Sequence, residues 1–90
     1  MMRYQVLDLS VDGRRVLLRD AERQLHVMRH EGSPLARDEL LSGRRAKLGA
    51  HVLIALNRGR PLHATFDFVA CSQGDALMLM HPIAQRSPGD

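Results

Sequence analysis

GAHVLIALNRGRPLHATFDFVACS, residues 49–72, is the stretch whose reading decides the fold. In its first part Ala50, Val52, Ile54 and Leu56 alternate with His51, Leu53 and Ala55. Period-two alternation of this kind marks a strand, because successive side chains leave opposite faces. Both faces are largely apolar, so the strand is expected to be central or covered. Asn57 and Gly59 then permit a turn, and Pro61 suits the first residue of the next strand. After it Leu62, Ala64, Phe66, Phe68 and Ala70 point one way, and His63, Thr65 and Asp67 the other. A β-hairpin is expected here, with Arg58 and Arg60 at its tip.

Working towards the N-terminus, three more strands appear. YQVLDLSV, residues 4–11, places Tyr4 and Val6 on one face but Leu7, Leu9 and Val11 on the other. A switch of faces within one strand predicts a bulge. Asp12-Gly13 predicts a type I′ turn. The second strand is RRVLLRD and the third QLHVMRH. Leu25 and Val27 are expected on one face of the third, His26, Met28 and His30 on the other.

Residues 34–42 read as a short helix, with Ser33 as cap, Pro34 in the first turn and Gly43 beyond the end. The alternative there is a loop leading into a short strand at ELLSG. Beyond the hairpin, Ser72 and Asp75 have cap spacing, and Ala76 to Met80 are helix formers without β-branching. A helix is expected, a sixth strand being the alternative. Residues 1–84 form one small domain, and 85–90 a disordered polar tail.

The resulting order, β-β-β-α-β-β with one or two short helices, resembles that of the five-stranded oligonucleotide/oligosaccharide-binding barrel. An SH3-like barrel uses the same strands if the middle segment is not helical. The resemblance implies a binding surface on strands two and three and on the loops after strands one and four.

Composition narrows the function. The chain has 90 residues, 44% apolar and 26% charged, with a net charge of +3. Lys47 is the only lysine among thirteen basic residues. Arginine enrichment arises from GC-rich, bacterial-like coding or from selection for bidentate anion contacts. A single cysteine, Cys71, excludes an internal disulfide and points to the cytoplasm. No apolar run reaches the roughly 18 residues of a membrane span.

The candidate chemistry is thin. His26 and His30, four residues apart on a strand, stand about 13 Å from one another, too far to share an ion. Cys71 and His63 stand about 26 Å apart along an extended strand, too far for a nucleophile and its base. No phosphate-cradling glycine loop or paired-carboxylate pattern is present. No enzyme activity, metal or cofactor is expected. What remains is cationic: Arg14, Arg15, Arg19, His26, His30, Arg58 and Arg60 as an anion-binding face, with Arg44, Arg45 and Lys47 as a secondary cluster. The expected function is a non-enzymatic barrel contacting single-stranded nucleic acid or another polyanion through these groups. The alternative is a protein-interaction or self-associating module, suggested by Leu17, Met28 and Leu53 as surface apolar residues.

Overall fold

In the computed structural model, which describes residues 1–32 and 34–80, the expected hairpin is the longest pairing in the molecule. Strand β5 (Gly49–Ala55) pairs antiparallel with β6 (Arg60–Cys71), from Gly49↔Phe66 to Ala55↔Arg60. Gly59, at φ 65°, lets the chain reverse, and its amide donates to the Ala55 carbonyl at 2.8 Å. Around this hairpin stand β1 (Met2–Leu9), β2 (Arg15–Asp20), β3 (Leu25–His30) and β4 (Leu40–Gly43). They close a six-stranded antiparallel barrel in the order β1-β2-β3-β6-β5-β4. The fold is mainly β, with one helix among the described residues, α1 (Gln73–Met80).

The sixth strand corrects the expected helix at 34–42. Leu40–Gly43 is β4, and the segment before it is already committed to β1. Val6 donates to the Glu39 carbonyl at 2.9 Å, and Asp38 to the Val6 carbonyl at 2.7 Å. The bulge predicted in β1 lies at this place, between Val6 and Asp8. A bulge interrupts the ladder and leaves backbone groups that need partners. Residues 38–39 supply them, and this pairing outweighs the local helix propensity. The turn after β1 also departs from type I′. Gly13 takes φ 75° while Asp12 keeps a negative φ, and the Asp12 carboxylate accepts from the Arg14 amide.

The core fills the barrel with Tyr4, Val6, Val16, Leu18, Met28, Leu41, Leu53 and Phe66. Here β3 reverses its expected facing. His26 and Met28 point inward, fully buried, and Leu17 and Val27 point outward beneath Ala76 and Met80 of α1. The helix begins as its cap predicts, with the Asp75 amide donating to Ser72 Oγ at 3.1 Å. A second apolar cluster under a helix is what lets β2 and β3 be apolar on both faces. Phe68, expected on the same face as Phe66, is exposed. The β3–β6 register shifts beside it, with Met28↔Phe66 but Val27↔Phe68, so Phe68 turns outward. The expected tail, 85–90, lies outside the described residues.

The barrel closes at β4, which shares only Leu41↔Ala55 and Ser42↔Ile54 with β5. Gly43 makes this closure possible, since a Cβ built there would overlap Leu53 Cδ2. Leu53 is fully buried and has little room to retreat. Gly43→Ala is therefore expected to destabilise the fold by about 1–3 kcal/mol, as overpacking does. Urea unfolding measures the loss, and Leu53→Val in the same background should restore part of it.

Candidate anion-binding site

Three loops and parts of three strands surround a groove of about 1300 Å³ at one mouth of the barrel. The β1–β2 loop contributes Arg14, and the β4–β5 loop contributes Arg44, Arg45 and Lys47. Strands β3, β5 and β6 supply Arg29, His30, His51 and His63. The β4–β5 loop is held from both ends. Tyr4 donates from its buried hydroxyl to the Arg44 carbonyl at 2.7 Å. His51 Nε2 lies 2.8 Å from the Lys47 carbonyl and 3.3 Å from the Lys47 amide, within hydrogen-bond reach of that backbone, with its ring tilted against Phe66 at 4.6 Å between centroids. Burial, reinforced by the Asp20 carboxylate, pushes the Tyr4 hydroxyl above its ordinary pKa. It therefore remains a donor across the physiological range.

The acids near this groove are largely occupied. Asp12 accepts from the Ser10 hydroxyl at 2.7 Å and from the Arg14 amide at 3.0 Å, which hold its carboxyl below the ordinary range. Asp67 takes Arg29 in a two-point pair at 2.7 and 3.0 Å, and Glu22 takes Arg45 at 3.1 Å. The Asp67 pairing raises the Arg29 pKa. Glu31 is the remaining acid on the groove wall. Among the described residues, Arg14, Arg44 and Lys47 are exposed and make no ion pair. Three free cations on two loops face one concavity. That arrangement can hold an anion with several oxygens spaced along it.

The sequence-predicted residues divide in consequence. Arg14, His30, Arg44, Arg45 and Lys47 come together in the groove. Arg15 instead donates to the Leu79 carbonyl at 2.8 Å and secures the end of α1. Arg19 donates to Gln5 Oε1 at 3.0 Å in a separate, shallower concavity. Arg58 is taken into the fold by Glu39, which is buried. Arg58 Nη2 donates to Glu39 Oε1 at 3.0 Å and to the Pro34 carbonyl at 2.8 Å, while its Nε lies 2.9 Å from Oε2 as a pure charge contact. Arg60 stands exposed at the start of β6. Sequence reasoning passed over Arg29 and His51, since alternation does not show which strand ends meet. His30 sits level with Ala64 and His51 across three strands, and neither of its ring nitrogens has a hydrogen-bond partner among the described residues.

His26 belongs to the interior. Its Nδ1 accepts the Ala70 amide at 3.1 Å, so Nε2 carries the ring proton and donates to Asp20 at 2.8 Å. Asp20 also accepts the Glu22 and Gln24 amides at 2.8 and 3.0 Å, closing the β2–β3 turn. Ala70 has φ 56°, a conformation that aims its amide at the ring. Among the described residues no group of three or more His, Cys, Asp or Glu side chains is placed to hold a metal. Cys71 is half-buried, and burial raises its thiol pKa. No helix among the described residues is long and apolar enough to cross a membrane. Comparison with protein-family models, curated proteins and solved structures finds no match for this chain.

Burial pushes the Asp20 carboxyl upward, but the hydrogen bonds from His26, Gln24 and Glu22 together outweigh it and hold the group below the ordinary carboxylate range. A carboxylate with a depressed folded pKa contributes stability that is full above its unfolded value and lost as pH falls through the folded one. The wild-type protein should therefore lose stability as pH drops below about 4. Asp20→Ala, which strands His26 Nε2–H and two amides, should cost roughly 3 kcal/mol at neutral pH. Its stability should also respond less to acid. Urea midpoints at pH 7 and pH 3 for both proteins provide the check.

Proposed function

We propose that this chain is a non-enzymatic binding module that holds the phosphate backbone of a single-stranded nucleic acid in the mouth groove. The observation that carries the reading is the convergence of Arg14, Arg44 and Lys47, unpaired, on one concavity whose nearby acids are mostly engaged. Each cation that meets a phosphate releases condensed counterions, which makes such binding favourable at low salt. A groove this large exceeds the ~300–1,000 Å³ of small-ligand pockets and suits an extended chain. The lining contains no Phe, Tyr or Trp on which bases could stack. Binding is accordingly expected through the backbone, tolerant of sequence and modest in affinity. The free thiol of Cys71 fits a reducing, cytoplasmic setting.

A second reading rests on an apolar stripe that borders the groove at Val52. Leu17, Met28 and Leu53 are buried and no longer motivate a docking role. Leu40, Val52, Ile54 and Leu56, on and beside β4 and β5, are instead 43, 53, 36 and 42% exposed. A stripe of this kind favours contact with a protein partner or a second copy. Sedimentation across a concentration series tests self-association, and Ile54→Glu, outside the groove lining, should abolish any dimer that uses the stripe.

For the principal reading, fluorescence anisotropy with a labelled oligonucleotide at about 50 mM salt should show binding that weakens linearly in log–log form as salt rises. The slope should be near −0.7 for each phosphate neutralised, and replacing Arg14, Arg44 and Lys47 by Gln should flatten it by roughly 2. Absence of binding at that salt overturns the reading.

A further inference from the structure

A second cationic concavity adjoins the groove. It has a volume of about 660 Å³ and is lined by Arg3, Arg19 and Arg23 together with Tyr4, Gln5 and Asp20. Among the described residues its only lining carboxylate, Asp20, is buried and already accepts three hydrogen bonds from His26 and two amides. Arg19 is bonded to the neutral Gln5, whose own amide donates to Asp38 at 3.1 Å. Arg3 and Arg23 are exposed and make no ion pair among the described residues. The surface therefore carries three guanidinium groups with no lining carboxylate free to neutralise them.

Two contacts join this surface to the mouth groove. Tyr4 lines the second concavity, and its hydroxyl holds the carbonyl of Arg44, a groove residue. Glu22, the neighbour of Arg23 in the β2–β3 turn, pairs with Arg45 of the groove. Both links meet at residues 44 and 45, the first beneath the surface and the second on it, and bring the two basic surfaces close together there. The Glu22–Arg45 pair there is exposed on both sides, 54 and 70%. An exposed pair of this type holds its partners weakly and exchanges readily for a phosphate.

We infer that the path of a bound strand continues from the mouth groove over Arg44 and Arg45 onto Arg3, Arg19 and Arg23. The inference rests on the nucleic-acid reading above and specifies its footprint. A short oligonucleotide occupies the groove alone, and a longer one engages both surfaces. Two cationic surfaces close together act on one strand as linked sites, the second contact being intramolecular once the first is made.

The test is a length series of unstructured single strands, about 4 to 16 nucleotides, spanning the footprints of single small barrels. It is read by anisotropy competition at constant salt, with wild-type protein and two double variants. Affinity should rise about tenfold across the series, beyond the statistical gain from added registers, and then level off. Arg3→Gln with Arg23→Gln should remove that rise and leave the shortest strand's affinity unchanged. Arg14→Gln with Lys47→Gln should weaken strands of every length. These substitutions are at exposed positions, and thermal unfolding confirms that each variant is folded. If the Arg3/Arg23 variant binds every length as wild type does, the path ends in the groove, and the inference fails while the groove reading stands. If that variant weakens short and long strands equally, the second surface is the primary site and the proposed extension is wrong. If wild-type protein binds no length, the groove reading itself fails and the inference with it.

Discussion

The imidazole of His26 ties three strands together at one buried point. It stands on β3, donates to Asp20 at the end of β2 and accepts from Ala70 on β6. Tyr4 and Phe66 pack their rings about it at 5.9 and 6.0 Å. A buried polar network of this sort is stable only when each member finds its partner, since an unpaired group in the interior is costly. Satisfying His26 demands the turn of the Ala70 backbone into the left-handed region, and the register of β6 on β3 shifts around it. A second shift, between Val27 and Met28, sends Phe68 outward. The same Asp20 shapes the β2–β3 turn, which carries Glu22 to Arg45. A core requirement thereby helps position the loop that supplies most of the groove's charge.

Electrostatics then divides a set of arginines that look alike in the sequence. Arg58 is captured by buried Glu39, Arg15 by a helix-terminal carbonyl, Arg29 by Asp67 and Arg37 by Asp8. These guanidinium groups secure loops and strands, a use to which the planar fork is well suited. Those left over, Arg14 and Arg44 with Lys47, lie where two loops approach each other. Their value for anion binding comes from the absence of an ion pair to a carboxylate among the described residues, and only folding decides that.

Much of the architecture is legible in the chain. The alternation from Ala50 to Phe66 marks the β5–β6 hairpin, and Gly59 marks its turn. The facing switch between Val6 and Leu7 announces the bulge in β1, and Ser72 announces α1. The failures share one cause. Residues 34–42 have helical local signals, but β1 needs backbone partners at its bulge. Alternation alone does not place His26 and Met28 inward, because β3 has an apolar layer on both faces. Periodicity finds faces and does not tell which one a helix will cover. The binding face was likewise legible only in part. Arg14, His30 and the Arg44–Lys47 cluster were legible as basic, whereas their convergence required the loops to be placed.

Alternation, turn residues and a helix cap are local properties, carried by φ/ψ preferences and side-chain spacing within a few residues. By themselves they determined the hairpins, the bulge, the terminal helix and the membership of a small, mainly β barrel. Three matters were decided only by tertiary structure: the sixth strand, the inward turn of His26, and the split between paired and free arginines. Each depends on groups far apart in sequence, such as Val6 with Glu39, His26 with Ala70, and Arg58 with Glu39. Hydrogen-bond satisfaction and charge pairing act over ångströms of space, and the chain's order does not encode those distances until the barrel closes.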